Sequence, residues 1–503
     1  MSSPTGNSEK FAGRPVLVVG LGRSGVAAAR ALVARGAVVT VSAGNDLGAD
    51  PVAAAAAADL EGLGVVVRSG SDAPEVPGAG TGLVVLSPGV PPHAPLWRAA
   101  VAAGVPVWGE VELAWRLRSP RAGGRGPAPW LGVTGTNGKT TTVGMLASIL
   151  TAAGLDAAAA GNVGTPLVEV VTGPDADTLD VLAVELSSAQ LHSAELTLEA
   201  AAVLNLAPDH LDWHGDAEAY AAAKARIWDR VERAAIHNAD DPATVALRAR
   251  ARPGAAADTV SFTLGLPGPG QLGLVEELLV DRAFSHGHHG DREGEGTVVA
   301  TLADLPAGPA PAGTAGAPAP HVVADALAAA ALARAHGVPA AAVAAGLRAF
   351  QPAAHRLVTV ASSGGITWVD DSKATNAHAA LAAIGAFTDV VWIAGGLAKG
   401  AEFDDLVRAV AGRLRGVVLL GRDRAVVAAA LARHAPGIPV RDTGAVETDA
   451  MVRVVAAAAE LARPGDTVLL APACASWDQF RNYGHRGDAF AAEVRALTGA
   501  GRP

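Results

Sequence analysis

The sequence predicts an α/β protein of three consecutive domains with largely parallel sheets, and three observations carry that prediction. Apolar runs with strand character alternate along the chain with Ala-rich stretches of helical character, the pattern of βα units stacked into parallel sheets. Several of those runs end in glycine loops or polar residues, as strands do where a parallel sheet presents its carboxyl edge to a ligand. At 503 residues and about 150 residues per domain, the chain has room for about three cores.

Taken in order, PVLVVG is a strand, SGVAAARALVARG a helix and AVVTVS a second strand, so Arg14 to Asn45 opens as a βαβ unit. The strand LVVLS ends at Ser87-Pro88-Gly89, and the Ala-, Gly- and Pro-rich stretch 119–129 marks a domain boundary. WLGVTGTNGKTTTVGMLASIL repeats the strand, glycine turn and helix, and VLAVELSS and AAVLNLAPDH are two further strands with polar ends. Leu305 to Pro320 is low in complexity and reads as an exposed loop. The helical run after His321 leads to Gln351-Pro352, and from His355 the strands GITWVDDS, VVWIAGG, GVVLLG and TVLLAPA alternate with helices. The expected domains are 1–122, 123–352 and 353–503.

Half of the residues are apolar and 17% are charged, against about 25% charged in an average soluble domain, which excludes wholesale disorder. A formal charge of −10 excludes the basic surface needed to coat nucleic acid or an anionic membrane. No nucleic-acid or membrane partner is expected, whereas anionic small molecules can bind at local sites. One cysteine, Cys474, cannot close an intramolecular disulfide and fits a reducing compartment. Met1 to Gly13 is polar without a signal-peptide pattern, and no uninterrupted run of about 20 apolar residues occurs, so a soluble cytoplasmic protein is expected. Of 39 basic residues only five are lysines (Lys10, Lys139, Lys224, Lys373, Lys399), which leaves 34 arginines. Under such a bias each surviving lysine asks for a reason.

Gly20-Leu21-Gly22-Arg23-Ser24-Gly25 places G-x-G-x-x-G between a strand and a helix, with glycines for a tight turn and a helix amino terminus able to receive phosphate. A dinucleotide site, a site for another diphosphate ligand and a structural turn all fit. The ribose-binding acid of a dinucleotide site is missing at Ser42-Ala43-Gly44, with Asp46 already in the loop, which favours another diphosphate. Gly135-Thr136-Asn137-Gly138-Lys139-Thr140-Thr141 misses the strict P-loop register, because Val133 stands where the first glycine belongs. Its parts are still those of a phosphate cradle: a strand, a glycine loop, a Lys for β/γ-phosphates, a hydroxyl for Mg²⁺ and a helix amino terminus.

Glu185 ends an apolar strand and is a candidate Mg²⁺ ligand, or else a capping or ion-paired carboxylate. His210 ends the next strand in the same manner, as a ligand or a structural histidine. Lys224, in a helix, reads by spacing alone as a solvated charge, and His286, His288 and His289 read as a solvated loop. Asp370-Asp371-Ser372-Lys373-Ala374-Thr375-Asn376 and Gly395-Gly396-Leu397-Ala398-Lys399-Gly400 are polar loops after adjacent strands, each with a lysine, and suit an anion. Cys474 has no basic flank and reads as a buried structural thiol rather than a nucleophile.

Together and in order, GLGRSG, SPG, GTNGKTT, GNVG, ELSSAQL, DHLDWH, KARIW, HR, DDSKATN, GGLAKG and PACASWDQF resemble the Mur ligase superfamily over nearly the whole chain. DSKATN and PACASWDQF resemble the branch that adds D-glutamate to UDP-N-acetylmuramoyl-L-alanine in peptidoglycan precursor synthesis. The resemblance implies a Rossmann-like first domain, a P-loop-type ATPase centre and a Rossmann-like third domain, in a monomer that uses ATP and Mg²⁺ at two sites. It implies ATP contacts from Gly135, Thr136, Asn137, Gly138, Lys139, Thr140 and Thr141, and from Arg356, Asp371 and Lys373 in the third domain. Thr140 and Glu185 would hold one Mg²⁺, and His210 and Lys224, as its carbamate, a second; Lys139, Glu185, His210 and Lys224 would be the catalytic set. Gly22, Arg23, Ser24, Ser87, Pro88, Gly89, Asn162, Gln190 and His210 would meet the UDP substrate. Thr375, Lys399, Ser476 and Tyr483 would grip D-glutamate.

Three positions depart from that pattern. Ser42-Ala43-Gly44 replaces an Asp-Thr-Arg, His321-Val322-Val323-Ala324-Asp325 lacks two amides of the adenine region, and Tyr483 stands where Phe is usual. A nicotinamide oxidoreductase would explain the first glycine loop and leave GTNGKTT without a purpose. A nucleotide-binding regulator would have no need of Lys139, Glu185, His210 and Lys224 together.

Overall fold

The computed structural model describes residues 11–44, 47, 50–162, 164–251, 257–284, 296–308, 316–444 and 450–499. Lys10, Asp46, His286, His288, His289 and positions 309–315 of the low-complexity loop lie outside the described residues. Two compact units divide the chain, one of Met1–Asp304 with Ala324–Phe350 and one of Leu305–Val323 with Gln351–Pro503.

The first unit carries two sheets. β1 (Pro15–Val19), β2 (Val38–Ala43), β3 (Val66–Ser69), β4 (Leu83–Leu86) and β5 (Val107–Gly109) form a parallel sheet in the order β3-β2-β1-β4-β5. The order reverses beside β1, so the loops after β1 and β4 open a crevice at the carboxyl edge. Gly25 is required there, because a Cβ on it would overlap the carbonyl oxygen of Gly20 in the turn it packs against.

The second sheet runs through β6 (Trp130–Thr134), β7 (Ala157–Gly161), β8 (Val181–Glu185), β9 (Ala200–Val203), β10 (Ala234–Asn238), β11 (Asp258–Phe262), β12 (Gln271–Val275), β13 (Leu278–Asp281) and β14 (Thr297–Thr301). Their order is β14-β13-β12-β11-β10-β9-β6-β8-β7. β6 to β12 pair in parallel, and β13 and β14 add an antiparallel extension. β6 is buried along its whole length, as a central strand covered on both faces must be. β11 to β14 go unread in the sequence, because their short runs carry little periodicity.

Both sheets feed one apolar core, in which Val16, Val18 and Leu83 of the first sheet join Trp130, Leu182 and Val184 of the second. The stretch 119–129 between them is fastened rather than loose: Ala122 N–H donates to Asp177 O at 2.9 Å, and the Arg121 guanidinium donates to Asp180 O at 3.1 Å.

In the second unit, β15 (Val358–Ser363), β16 (Ile366–Asp370), β17 (Val390–Gly395), β18 (Leu414–Leu420), β19 (Val440–Asp442) and β20 (Thr467–Leu470) order as β15-β16-β20-β17-β18-β19. All pairings are parallel except that of the edge strand β15, which returns antiparallel on β16 through Gly364-Gly365. The adjacent strands β16, β20 and β17 bring the DDSKATN, PACASWDQF and GGLAKG loops to one sheet edge.

Candidate active site

β6 lies between β8 and β9, so the register that pairs Val133 with Glu185 and Thr134 with Val203 sets three loops side by side. The GTNGKTT loop follows β6 and is pinned to Asn205: Asn137 N–H donates to Asn205 Oδ1 at 2.8 Å, and Asn205 Nδ2 donates back to Asn137 O at 3.1 Å. Gly138 caps the helix Lys139–Ala152 in a left-handed conformation, φ 84°, and a Cβ there would overlap the buried Asp325 carboxylate. A glycine is therefore fixed by backbone and packing alike. Thr140 and Thr141 fall in the first turn of that helix.

Glu185, 2% exposed, closes β8. Its carboxylate accepts from Thr140 Oγ1 at 2.8 Å and from Asn162 Nδ2 at 3.0 Å. A buried carboxylate held by two neutral donors is short of positive charge. The hydroxyl and carboxylate oxygens together are the hard donors that suit Mg²⁺, which keeps several of its waters.

Lys224 corrects the reading by spacing: it is 2% exposed, in the helix Ala217–Ala225 capped by Asp216. Its Nζ donates to Gly135 O at 2.9 Å and lies 4.7 Å from the centre of the Tyr220 ring. Burial, and next the Lys139 cation, hold its ammonium well below the ordinary lysine range against the pull of Asp209 and Glu185. Such an amine gives up its proton more readily than a solvated lysine, which is what a nucleophilic lysine needs. Lys139 Nζ donates to the same Gly135 O at 2.8 Å and to Thr136 O at 2.9 Å.

His210 follows Asp209, whose carboxylate acts on Lys224. It has a left-handed backbone, φ 52°, caps the helix Leu211–His214, is half-exposed, and its ring faces Asp209 at 3.8 Å. Among the described residues no three His, Cys, Asp or Glu side chains converge as a metal cluster.

At the first sheet, Gly22 caps the helix Arg23–Val33, which places Arg23 and Ser24 in its first turn. Ser87 Oγ is buried with no hydrogen-bond partner among the described residues, and Pro88 O accepts from the Trp213 indole at 3.1 Å. Gly89 is exposed. Gln190 is buried, its Oε1 accepting from Ser187 N–H and Oγ in a capping box. Sequence reasoning passed over Trp213 and its neighbour His214, although both stand in the DHLDWH run.

In the second unit, burial pushes the Asp371 carboxyl up to about 7 against the Arg356 cation and the Leu357 N–H. Lys373 Nζ lies 3.9 Å from the Tyr483 ring centre, and Lys399 Nζ lies 4.1 Å from that of Trp477. Thr375 N–H donates to Lys373 O at 2.8 Å, turning the loop into the helix Ala377–Gly385, and Ser476 is buried. Arg486, 0% exposed, draws these loops together without having been read from the sequence. Its guanidinium donates to Ser372 Oγ at 2.9 Å, Ser372 O at 2.8 Å and Cys474 O at 3.1 Å. Ser372 Oγ in turn donates to Tyr483 O at 2.8 Å. Cys474 is a buried thiol as expected, pushed up to about 12 by burial. His321 is held down to about 4 by burial and by Arg356.

Comparison with known proteins agrees with this arrangement. The Mur ligase middle domain matches residues 133–265, and the Mur ligase, glutamate ligase domain matches 355–474. The UDP-N-acetylmuramoylalanine–D-glutamate ligase of Streptomyces coelicolor is 57% identical over 489 residues, 97% of this chain and 99% of its own. Among solved structures, the UDP-N-acetylmuramate–alanine ligase of Thermotoga maritima shares the fold with a TM-score of 0.54 at 17% identity, over 96% of this chain and 99% of its own. The bifunctional folylpolyglutamate synthase/dihydrofolate synthase of Yersinia pestis, complexed with AMPPNP and Mn ion, shares it with a TM-score of 0.50 at 18% identity, over 77% and 92%.

Proposed function

The chain belongs to the Mur ligase family, and from that premise we propose that it joins D-glutamate to UDP-N-acetylmuramoyl-L-alanine at the expense of ATP, in peptidoglycan precursor synthesis. The observation that carries the reading is 57% identity to a ligase of that name over 97% of the chain. It is joined by a site chemistry made for phosphoryl transfer. We take the sheets as the cores of domains 1–122, 123–352 and 353–503, of a monomer working in the cytoplasm. Among the described residues no helix is long and apolar enough to cross a membrane.

In the proposed reaction the alanyl carboxylate attacks the γ-phosphorus of ATP, and ADP leaves. The amine of D-glutamate adds to the resulting acyl phosphate, and the tetrahedral intermediate expels phosphate. Negative charge gathers on phosphoryl and carboxylate oxygens, so fixed cations and oriented N–H groups carry most of the rate. The GTNGKTT amides and the helix Lys139–Ala152 would cradle the phosphates, with Lys139 turning from its own loop toward the β/γ oxygens. Mg²⁺, held by Thr140 and Glu185 at one site and by His210 and carbamylated Lys224 at a second, would neutralise the charge that develops. Asn162 Nδ2, now fixed on Glu185, would share that carboxylate with the metal and meet the alanyl end of the substrate. Arg356, Asp371 and Lys373 would hold the nucleotide, and Thr375, Lys399, Ser476 and Tyr483 the two carboxylates of D-glutamate.

Phosphate release from ATP, Mg²⁺ and UDP-N-acetylmuramoyl-L-alanine, with single amino acids added in turn, tests the reading. Release with D-glutamate is expected. Release with another amino acid and not with D-glutamate would overturn the specificity, and release with none would leave a nucleotide-binding protein without turnover.

A further inference from the structure

The helix Leu211–His214, capped by His210, has no buried residue, yet its side chains reach the Ser87–Gly89 loop and, through Tyr220, the GTNGKTT loop. Two side chains tether it. Trp213 Nε1–H donates to Pro88 O at 3.1 Å, and the His214 ring is hydrogen-bonded with Ser188 Oγ at 2.9 Å. The Trp213 ring stands edge-on to Trp97, 6.3 Å between centres, and to His192, at 5.3 Å. Trp97 belongs to the helix Pro95–Ala102, which follows β4. On the other side, Trp213 lies 4.4 Å from the His214 ring, and His214 meets Tyr220 edge-on at 5.3 Å. The Tyr220 hydroxyl is 3.1 Å from Thr136 Oγ1, inside the GTNGKTT loop. One continuous row of rings thus joins the Ser87–Gly89 loop of the first sheet to the phosphate loop of the second.

We propose that Trp213 is a positioning residue for the UDP-bearing substrate. Its indole N–H fixes the Ser87–Gly89 loop against the segment that begins at His210, and the rings of His214 and Tyr220 carry that register to Thr136. The inference rests on the reading of Ser87–Gly89 as a substrate loop. Independent of that reading, Ser87 Oγ is a buried polar atom with no hydrogen-bond partner among the described residues, and groups of that kind are rare unless something else completes them. Ser87 N–H is fastened to Val19 O at 3.0 Å, and Pro88 O accepts from the Trp213 indole, so losing the indole donor loosens the Pro88 end of the loop while leaving its β1 attachment and the buried core as they were.

Trp213→Phe keeps a ring and removes the N–H. Its KM for UDP-N-acetylmuramoyl-L-alanine should rise roughly three- to tenfold, the effect of one neutral hydrogen bond. The KM values for ATP and D-glutamate should stay within about twofold and the melting midpoint within a few degrees. Of the indole N–H resonances from nine tryptophans, the one that Trp213→Phe removes should shift on adding UDP-N-acetylmuramoyl-L-alanine to the wild type and stay in place on adding D-glutamate. An unchanged KM, an equal rise in all three KM values, a resonance indifferent to the UDP substrate, or a variant that does not fold would each make Trp213 a framework residue and overturn the proposal. A wild type inactive with UDP-N-acetylmuramoyl-L-alanine defeats the functional reading instead. An active wild type beside an unaltered variant defeats this inference alone.

Discussion

Lys399→Ala should weaken D-glutamate binding far more than ATP binding, and the structure sets the size of the effect. The ammonium stands on the loop after β17, over a Trp477 ring that is 66% exposed, and among the described residues no carboxylate forms a salt bridge with it. A charge-assisted hydrogen bond to a substrate carboxylate is worth about 1.5–3 kcal/mol, which at about 1.4 kcal/mol per decade is roughly 10- to 150-fold. Leaving the ring costs about 0.5–1 kcal/mol at so exposed a place, which leaves about 1–2 kcal/mol, so the expected rise in KM for D-glutamate is about 5- to 30-fold. The backbone contributes nothing to the difference. Lys399 is left-handed, φ 53°, and alanine bears the same Cβ and the same strain. Phosphate release is measured first against D-glutamate with the other substrates saturating, then against ATP, whose KM should stay within about threefold. Equal rises for both substrates, or no change for D-glutamate, would refute the carboxylate assignment. Lys399→Arg should recover only part of the loss, since a planar fork does not reproduce a compact ammonium.

Other expectations concern titration, reactivity and rescue. Burial raises the Glu110 carboxyl to about 7 while its Oε1 accepts from Val168 N–H at 2.7 Å. The folded state holds that proton more tightly than the unfolded chain does, so Glu110 lowers stability as pH climbs from about 4.5 through about 7. Glu110→Gln, which keeps the acceptor, should match the wild type in urea unfolding near pH 4.5 and exceed it by about 3 kcal/mol at pH 8; a constant difference at both pH values would refute this. Cys474, buried with its thiol raised to about 12, should resist iodoacetamide at pH 8 in the folded protein and react once urea unfolds it; rapid labelling of the folded form would contradict the assignment. Lys224→Ala should lose most activity, regain some with short-chain carboxylates and gain little from bicarbonate, as measured by phosphate release. Rescue by a short-chain amine in place of a carboxylate would argue for an ammonium.

What the sequence made legible was chemistry tied to local backbone form. The glycine loops, Glu185 at the end of β8 and the DDSKATN and PACASWDQF loops follow from strands that stop at a ligand-facing edge, and they fall at adjacent strand ends. What stayed hidden depends on which face of an element turns inward. The helix Ala217–Ala225 is almost all alanine apart from Glu218, Tyr220 and Lys224, so no apolar stripe tells its buried side from its exposed one. That is why Lys224 read as solvated. Arg486 gave no sign either, since a guanidinium satisfied by two loop carbonyls and a serine hydroxyl is set in large part by Ser372, 114 residues away in the chain. Trp213 sat in plain view inside a motif, but its partner Pro88 belongs to another sheet.

The oxygen of Gly135 receives two ammonium groups, Lys139 at 2.8 Å and Lys224 at 2.9 Å. Neither lysine can therefore be altered as an independent part. After burial, the Lys139 cation does most to lower the proton affinity of Lys224, so removing Lys139, or drawing it away toward a phosphate, raises that affinity in the same stroke. Substitutions at the two positions should show strong epistasis, the double variant departing from the sum of the singles. Through drift toward arginine elsewhere in the chain, such a pair would be inherited together or lost together.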